Sequence, residues 1–180
     1  VLLDGRPVLL LCSSNYLGLA DHPRVREAAA DAAMRWGVGA GSARIVAGTM
    51  TVHRRLEEAL AELVGTQTAL LHGSGYLANL SAIATLTTAG EAVFCDELAH
   101  PAMVDACRLS RARSVAFRHG DVEHLAWQIE RTDADGGLVV TPSVFPIDGD
   151  VAPLAELCDL ARARGLRLVV DESHALGTIG

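Results

Sequence analysis

From about Gln67 onward, short runs of apolar residues alternate with stretches whose apolar positions recur every three or four residues. Runs that are apolar at every position suit strands covered on both faces, and amphipathic stretches between them suit the crossover helices of βα units. The pattern predicts strands at "TALLH" (68–72), "AVFCD" (92–96), "SVAFR" (114–118), "GLVVT" (137–141) and "LRLVVD" (166–171). Helices are predicted at "YLANLSAIATLTT", "PAMVDACRLS", "VEHLAWQIER" and "PLAELCDLARAR", the last opened by Pro153 and stopped by Gly165. Upstream, "HPRVREAAADAAMRW" and "TVHRRLEEALAELVG" carry the helical period, the second with Leu56, Leu60 and Leu63 on one stripe. The expected fold class is α/β, a mostly parallel sheet flanked by helices. The turn-rich stretch "SSNYLGLADHP" suggests that residues 1–35 belong to a small domain and residues 36–180 to a larger one.

Composition narrows the function classes. The chain has 180 residues, of which 50% are hydrophobic and 21% charged, enough to bury a core. The net charge of −7, the lack of a basic run and the scarcity of aromatics give no footprint for nucleic acid or an anionic membrane. Cys12, Cys95, Cys107 and Cys158 are widely spaced with no CxxC pair, and no signal peptide or long apolar span is present, so a cytoplasmic setting is expected. All 15 basic residues are Arg; the chain contains no lysine.

Three segments place chemistry where predicted strands end, the edge at which open α/β sheets bind ligands. In "LLHGSGYLAN" a strand runs through Gly73, Ser74 and Gly75 into a helix, so the free amides of Gly75 and Tyr76 form a candidate phosphate cradle. A plain βα turn is the alternative. "GVGAGSAR" (37–44) lacks the strand–turn–helix context of a dinucleotide fingerprint and is rejected as one. "CDELAHPAMVDA" ends a strand at Asp96 and sets His100 before a Pro-started helix. His100 is a candidate ligand-facing ring, with a capping role as the alternative; with Cys95 it lacks further ligands at zinc spacing, so no metal site is expected. In "LRLVVDESHALG" a buried run delivers Asp171, with His174 three residues on. A carboxylate there needs a cationic or polar partner. A phosphate cradle, a histidine and a carboxylate able to face an aromatic cation together fit pyridoxal phosphate, whose ring nitrogen is protonated beside an Asp.

The ordered set "SSNYLGLADHP", "GVGAGSARIVAGTMTVHRRLEEALAELVG", "LHGSGYLAN", "CDELAHPAMVDACRLS", "VFPIDGDVAPLAEL" and "VVDESHALGTIG" resembles the N-terminal half of the α-oxoamine synthases, within the class II aminotransferase-like pyridoxal-phosphate enzymes. The resemblance implies a partial large domain of the fold-type I transferase fold, with residues 1–35 opening the small domain. It implies an acyltransferase that condenses alanine or glycine with an acyl-CoA thioester and releases carbon dioxide, most like the alanine-using member of biotin synthesis, acting as a cytoplasmic homodimer. Residue by residue, it implies that the amides of Gly75 and Tyr76 hold the phosphate and His100 stacks on the ring. Asp171 would pair with the ring nitrogen, His174 would lie near the phenolic oxygen, and Asn79 would support the site. Ser42, Arg44 and His53 are expected to serve architecture or subunit contact. The family's Schiff-base lysine is expected beyond Gly180.

Three positions depart from the family pattern. Pro142 stands where an acidic residue is usual and Pro146 where a serine bonds the phenolic oxygen, and proline has no side-chain donor. Ser14 replaces an Asn at the substrate entrance. The alternatives to the acyltransferase are another pyridoxal-phosphate chemistry, such as transamination, or a catalytically inactive partner subunit.

Overall fold

Two opposite packing regimes run along the chain. In the computed structural model, which describes Val1–Ile179, the chain folds as two compact units, Val1–Leu71 and His72–Gly180. Both upstream helices belong to the first unit.

The first unit opens with a hairpin, β1 (Leu2–Leu3) and β2 (Arg6–Pro7), that the apolar pattern does not reveal. Its signal is the pair Asp4-Gly5, both at positive φ, which is the chemistry of a tight two-residue turn. Then follow α1 (Pro23–Trp36), with Pro at its first position, and α2 (Thr51–Val64), ended by Gly65 in the left-handed conformation. The glycine-rich run 37–44 joins α1 to a π-type turn at Arg44–Gly48, with no strand before it, as the rejection of a dinucleotide fingerprint requires. Only Gly48 and Ala61 are buried here. The unit is held instead by a charged knot. The Arg44 guanidinium donates to both Glu57 oxygens, at 2.6 and 3.1 Å, and to the Leu71 carbonyl at 3.2 Å, while the Leu71 amide donates to Glu57 Oε1 at 2.8 Å.

The second unit is built on a four-stranded parallel sheet in the order β4-β3-β5-β6, with β3 (Ala92–Asp96), β4 (Arg113–Phe117), β5 (Gly137–Pro142) and β6 (Arg167–Asp171). Four predicted strands are thus present. "TALLH" is not a strand: residues 68–72 pair with none of the four, and the backbone of Leu71 bonds to the side chains of Arg44 and Glu57 instead of to a ladder. Helices α3 (Gly75–Thr85), α4 (Pro101–Leu109), α5 (Val122–Arg131) and α6 (Leu154–Ala163) lie where their periodicity puts them.

Alternation along the central strands sorts the core into two layers. Val93, Cys95, Leu138 and Val140 pack with Ile83, Met103 and Ala106 of α3 and α4. Ala92, Phe94 and Val139 point the other way and pack with Phe117, Leu125 of α5 and Leu157 and Ala161 of α6. The start of β5 must be glycine, since a Cβ at Gly137 would sit 2.2 Å from the Ala92 carbonyl oxygen. Cys95 and Cys107 are buried free thiols. Among the described residues no helix is long and apolar enough to cross a membrane.

The Arg44 hydrogen bonds, and that from Leu71, hold the Glu57 carboxyl down to about 2 from its ordinary 4.5. A depressed carboxylate contributes stability above its unfolded pKa and loses it as pH falls through the folded one. Replacing Glu57 by Gln in the full-length protein is therefore expected to lower the melting temperature by a constant amount above about pH 5. That deficit should shrink below pH 4.5 and vanish near pH 2; thermal unfolding followed by circular dichroism across this range checks it.

Candidate active site

All strands of the large sheet run parallel, so their carboxyl ends share one edge, the edge at which such sheets bind ligands. A cavity of about 210 Å³ at that edge is lined by Gly75, Tyr76, Asn79, His100, Ala102, Pro142, Pro146, Asp171, Ser173 and His174. All five residues singled out from the sequence, Gly75, Tyr76, His100, Asp171 and His174, are brought together there.

Helix α3 starts at the cavity. Ser74 caps it, its Oγ accepting from the Leu77 amide at 3.2 Å, which leaves the amides of the first turn, Gly75 and Tyr76 among them, outside the intrahelical ladder. A Cβ at Gly75 would meet only Ser173 Oγ, at 3.9 Å, so chain packing alone does not demand the glycine. The Tyr76 hydroxyl donates to Asp105 Oδ2 on α4 at 2.9 Å, which, with burial, raises its pKa. The tyrosine side chain thus ties α3 to α4, and what it offers the cavity is its backbone.

His100 caps α4. Its Nδ1 accepts from the Ala102 amide at 3.1 Å, so a neutral ring carries its proton on Nε2. One side chain thus both caps the helix and lines the cavity, where the cap fixes its ring.

Asp171 ends β6, opposite Pro142 of β5. Its Oδ2 accepts from Asn79 Nδ2 at 2.6 Å, and Asn79 also donates to the Gly75 carbonyl at 3.2 Å. Its Oδ1 accepts from the Ser173 amide at 2.8 Å and from the Ser173 hydroxyl. Its carbonyl accepts from Ser143 N at 2.9 Å and Ser143 Oγ at 3.1 Å. Burial pushes the carboxyl up, but Ser173 and Asn79, with His100 nearby, outweigh it and hold the group below the ordinary carboxylate range. Asp171 is therefore an anion at neutral pH, already anchored and available to face a cation in the cavity. His174 follows on the turn at the same rim, its carbonyl accepting from Thr178 Oγ1 at 3.0 Å.

Sequence reasoning does not single out Ser173 or Ser143. A serine two residues after an acid in a turn is a local signal for Ser173, whereas Ser143 takes its role only from the pairing of β5 with β6. Pro142 and Pro146 add rings and no donors to the lining. Among the described residues no group of three or more His, Cys, Asp or Glu is placed to hold a metal ion.

Removing a donor to Asp171 uncovers the burial effect. Asn79→Ala and Ser173→Ala are each expected to raise the Asp171 pKa, and the double substitution to raise it further. Carboxyl-carbon NMR titration of the full-length protein reads this directly; an unchanged titration would mean that other donors hold the charge.

Comparison with known proteins adds to this geometry. The family model for aminotransferase class I and II matches residues 6–180. An 8-amino-7-oxononanoate synthase of Anaeromyxobacter sp. (strain K) is 52% identical over the whole chain, which covers 45% of that protein. One from Geotalea daltonii is 47% identical, with 100% of this chain and 46% of the relative covered. A serine palmitoyltransferase from S. paucimobilis, solved with bound PLP and myriocin, superposes with a TM-score of 0.91 at 35% identity, over 95% of this chain and 43% of the other. The chain thus spans a little under half the length of the curated relatives it matches. With four parallel strands, a ligand edge and a match over nearly its full length, the chain belongs to the aminotransferase class I and II family.

Proposed function

We propose that the protein to which this chain belongs is a pyridoxal-phosphate-dependent acyltransferase that condenses a small amino acid, alanine or glycine, with an acyl-CoA thioester and releases carbon dioxide. The relatives named 8-amino-7-oxononanoate synthase support this reading. The observation that carries it is the ionised Asp171, held by Asn79 and Ser173, sharing one cavity with His100 and the open start of α3. In this reading residues 1–35 open a small domain and 36–180 form part of the cofactor-binding one, the protein is a cytoplasmic homodimer, and the amino acid and thioester meet at this cavity.

The donor set fits the cofactor. The amides of Gly75 and Tyr76 bind the phosphate, where the helix N-terminus also favours an anion. Asp171, held ionised, would stabilise a protonated ring nitrogen, since a carboxylate beside such a nitrogen favours the charged form. His100, fixed through Nδ1, would offer its ring to the cofactor, and His174 would be available to its phenolic oxygen. Asn79 and Ser173 orient Asp171. When bound, the cofactor supplies an electron sink for charge developing at the amino acid's Cα. Pro142 and Pro146 give their side of the cavity apolar rings and no hydrogen-bond donor. The chain holds no lysine, so the residue that carries the cofactor covalently comes from elsewhere in the protein.

A catalytically inactive partner subunit is the second reading, favoured by those donor-free prolines. Borohydride reduction of the full-length protein with pyridoxal phosphate, followed by peptide mapping, is expected to mark one lysine, and alanine with an acyl-CoA is expected to release coenzyme A. Asp171→Asn should lower that release by about 10²-fold or more, the scale of losing one preorganised charge. A folded protein that takes no label and releases no coenzyme A would leave the inactive-subunit reading standing.

A further inference from the structure

Outside the cavity, three ionisable side chains meet between its two walls. Asp96, at the end of β3, is 2% exposed. Its Oδ1 accepts from the Leu98 amide at 2.9 Å and lies 3.1 Å from His119 Nδ1, and its Oδ2 accepts from the Gly120 amide at 2.9 Å. The other ring nitrogen of His119 lies 3.2 Å from Asp150 Oδ2. The ring also stands edge-on to Phe145, with centroids 4.3 Å apart.

Both imidazole nitrogens thus face carboxylates, and only the imidazolium donates to both. Burial opposes that charge, but the hydrogen bonds to Asp150 and Asp96 outweigh it and raise the His119 pKa above its ordinary value. The other charged groups nearby have their own partners. Glu97 accepts from the His119 amide at 3.0 Å; Arg118 pairs with Asp121 at 2.8 Å; His124 Nδ1 accepts from the Arg118 amide at 2.8 Å.

The network touches the roots of both cavity walls. The Asp96–Leu98 bond shapes the turn that delivers His100. Phe145 and Asp150 belong to a tight turn that carries Pro146, closed by Phe145 N to Asp150 O at 2.9 Å and Gly149 N to Phe145 O at 3.0 Å. We infer that His119 is a positioning residue: its ring ties the Pro146 turn to Asp96 at the foot of the His100 turn, and so sets the spacing of the two walls. As far as it concerns a bound cofactor, this rests on the reading under Proposed function. The tie is fully present below the ordinary histidine pKa and is lost as pH rises through the raised folded one.

The test is hydrogen exchange, corrected for intrinsic rates, over residues 145–151 of the full-length protein as a function of pH, together with pyridoxal phosphate titration. In the wild type, protection of this turn should fall in one step as His119 deprotonates, while α5 stays protected. His119→Gln should lack the step, exchange fast at every pH, and bind pyridoxal phosphate about tenfold more weakly, the scale of one lost charge-assisted hydrogen bond. Asp150→Asn, which leaves the buried Asp96 pair in place, should move the step to lower pH and covers the case in which His119→Gln does not fold. Equal protection in the wild type and His119→Gln, or a step unmoved by Asp150→Asn, overturns the inference. A wild type that shows the step but binds no pyridoxal phosphate supports the tie and overturns the cofactor reading instead.

Discussion

A carboxylate at the end of a half-buried strand must be bonded where it stands, and the Asn79–Asp171 hydrogen bond supplies its long-range partner beside the local bonds from Ser173. It joins the first helix of the second unit to its last strand, across 92 positions of sequence. Because Asn79 also holds the Gly75 carbonyl, the same amide orients the open turn of α3. The Asp171 carboxylate and the open start of α3 are thereby set at a fixed separation. Ser173 completes the shell locally, so that Asp171 is held ionised before any cation arrives.

The sheet makes this possible by a simple sorting. Val93 and Cys95 face α3 and α4, while Phe94 faces α5 and α6, so every residue of β3 is buried and the strand has no polar face to spend. Polar function is left to the strand ends, where Asp96 and Asp171 stand. One of these carboxylates faces the cavity and the other is consumed by the scaffold behind it.

Burial on both faces, complete along β3 and β5, also makes those apolar runs legible in the sequence. "AVFCD", "SVAFR", "GLVVT" and "LRLVVD" are strands in the structure, and "VEHLAWQIER" is a helix to the residue. "TALLH" has the same composition and is none, because a strand is defined by its neighbour and composition carries no information about pairing. Asp171 and His100 stand out because each follows a strand-to-turn signal that the structure keeps, and Gly75 because a Gly-Ser-Gly turn opens directly into a helix, although the strand read before it is absent. The Arg44–Glu57 knot and the Asp96–His119–Asp150 network do not, since each links positions that only the folded topology makes adjacent. Asp4-Gly5 has its turn signal in plain view, but strands of two residues leave no periodicity beside it.

The strand order has a consequence for how such a site comes into being. Strand β6 is the outer member of the order β4-β3-β5-β6 and the last of the four in the chain. Gly75 and His174 lie about a hundred residues apart, which at typical synthesis rates is about 5–20 s of translation. For most of that interval the start of α3, joined later by the ring of His100, is on the ribosome without the Asp171 carboxylate that shares its cavity. A nascent chain therefore cannot assemble the cavity early, because its lining is complete only once Asp171, Ser173 and His174 have been made.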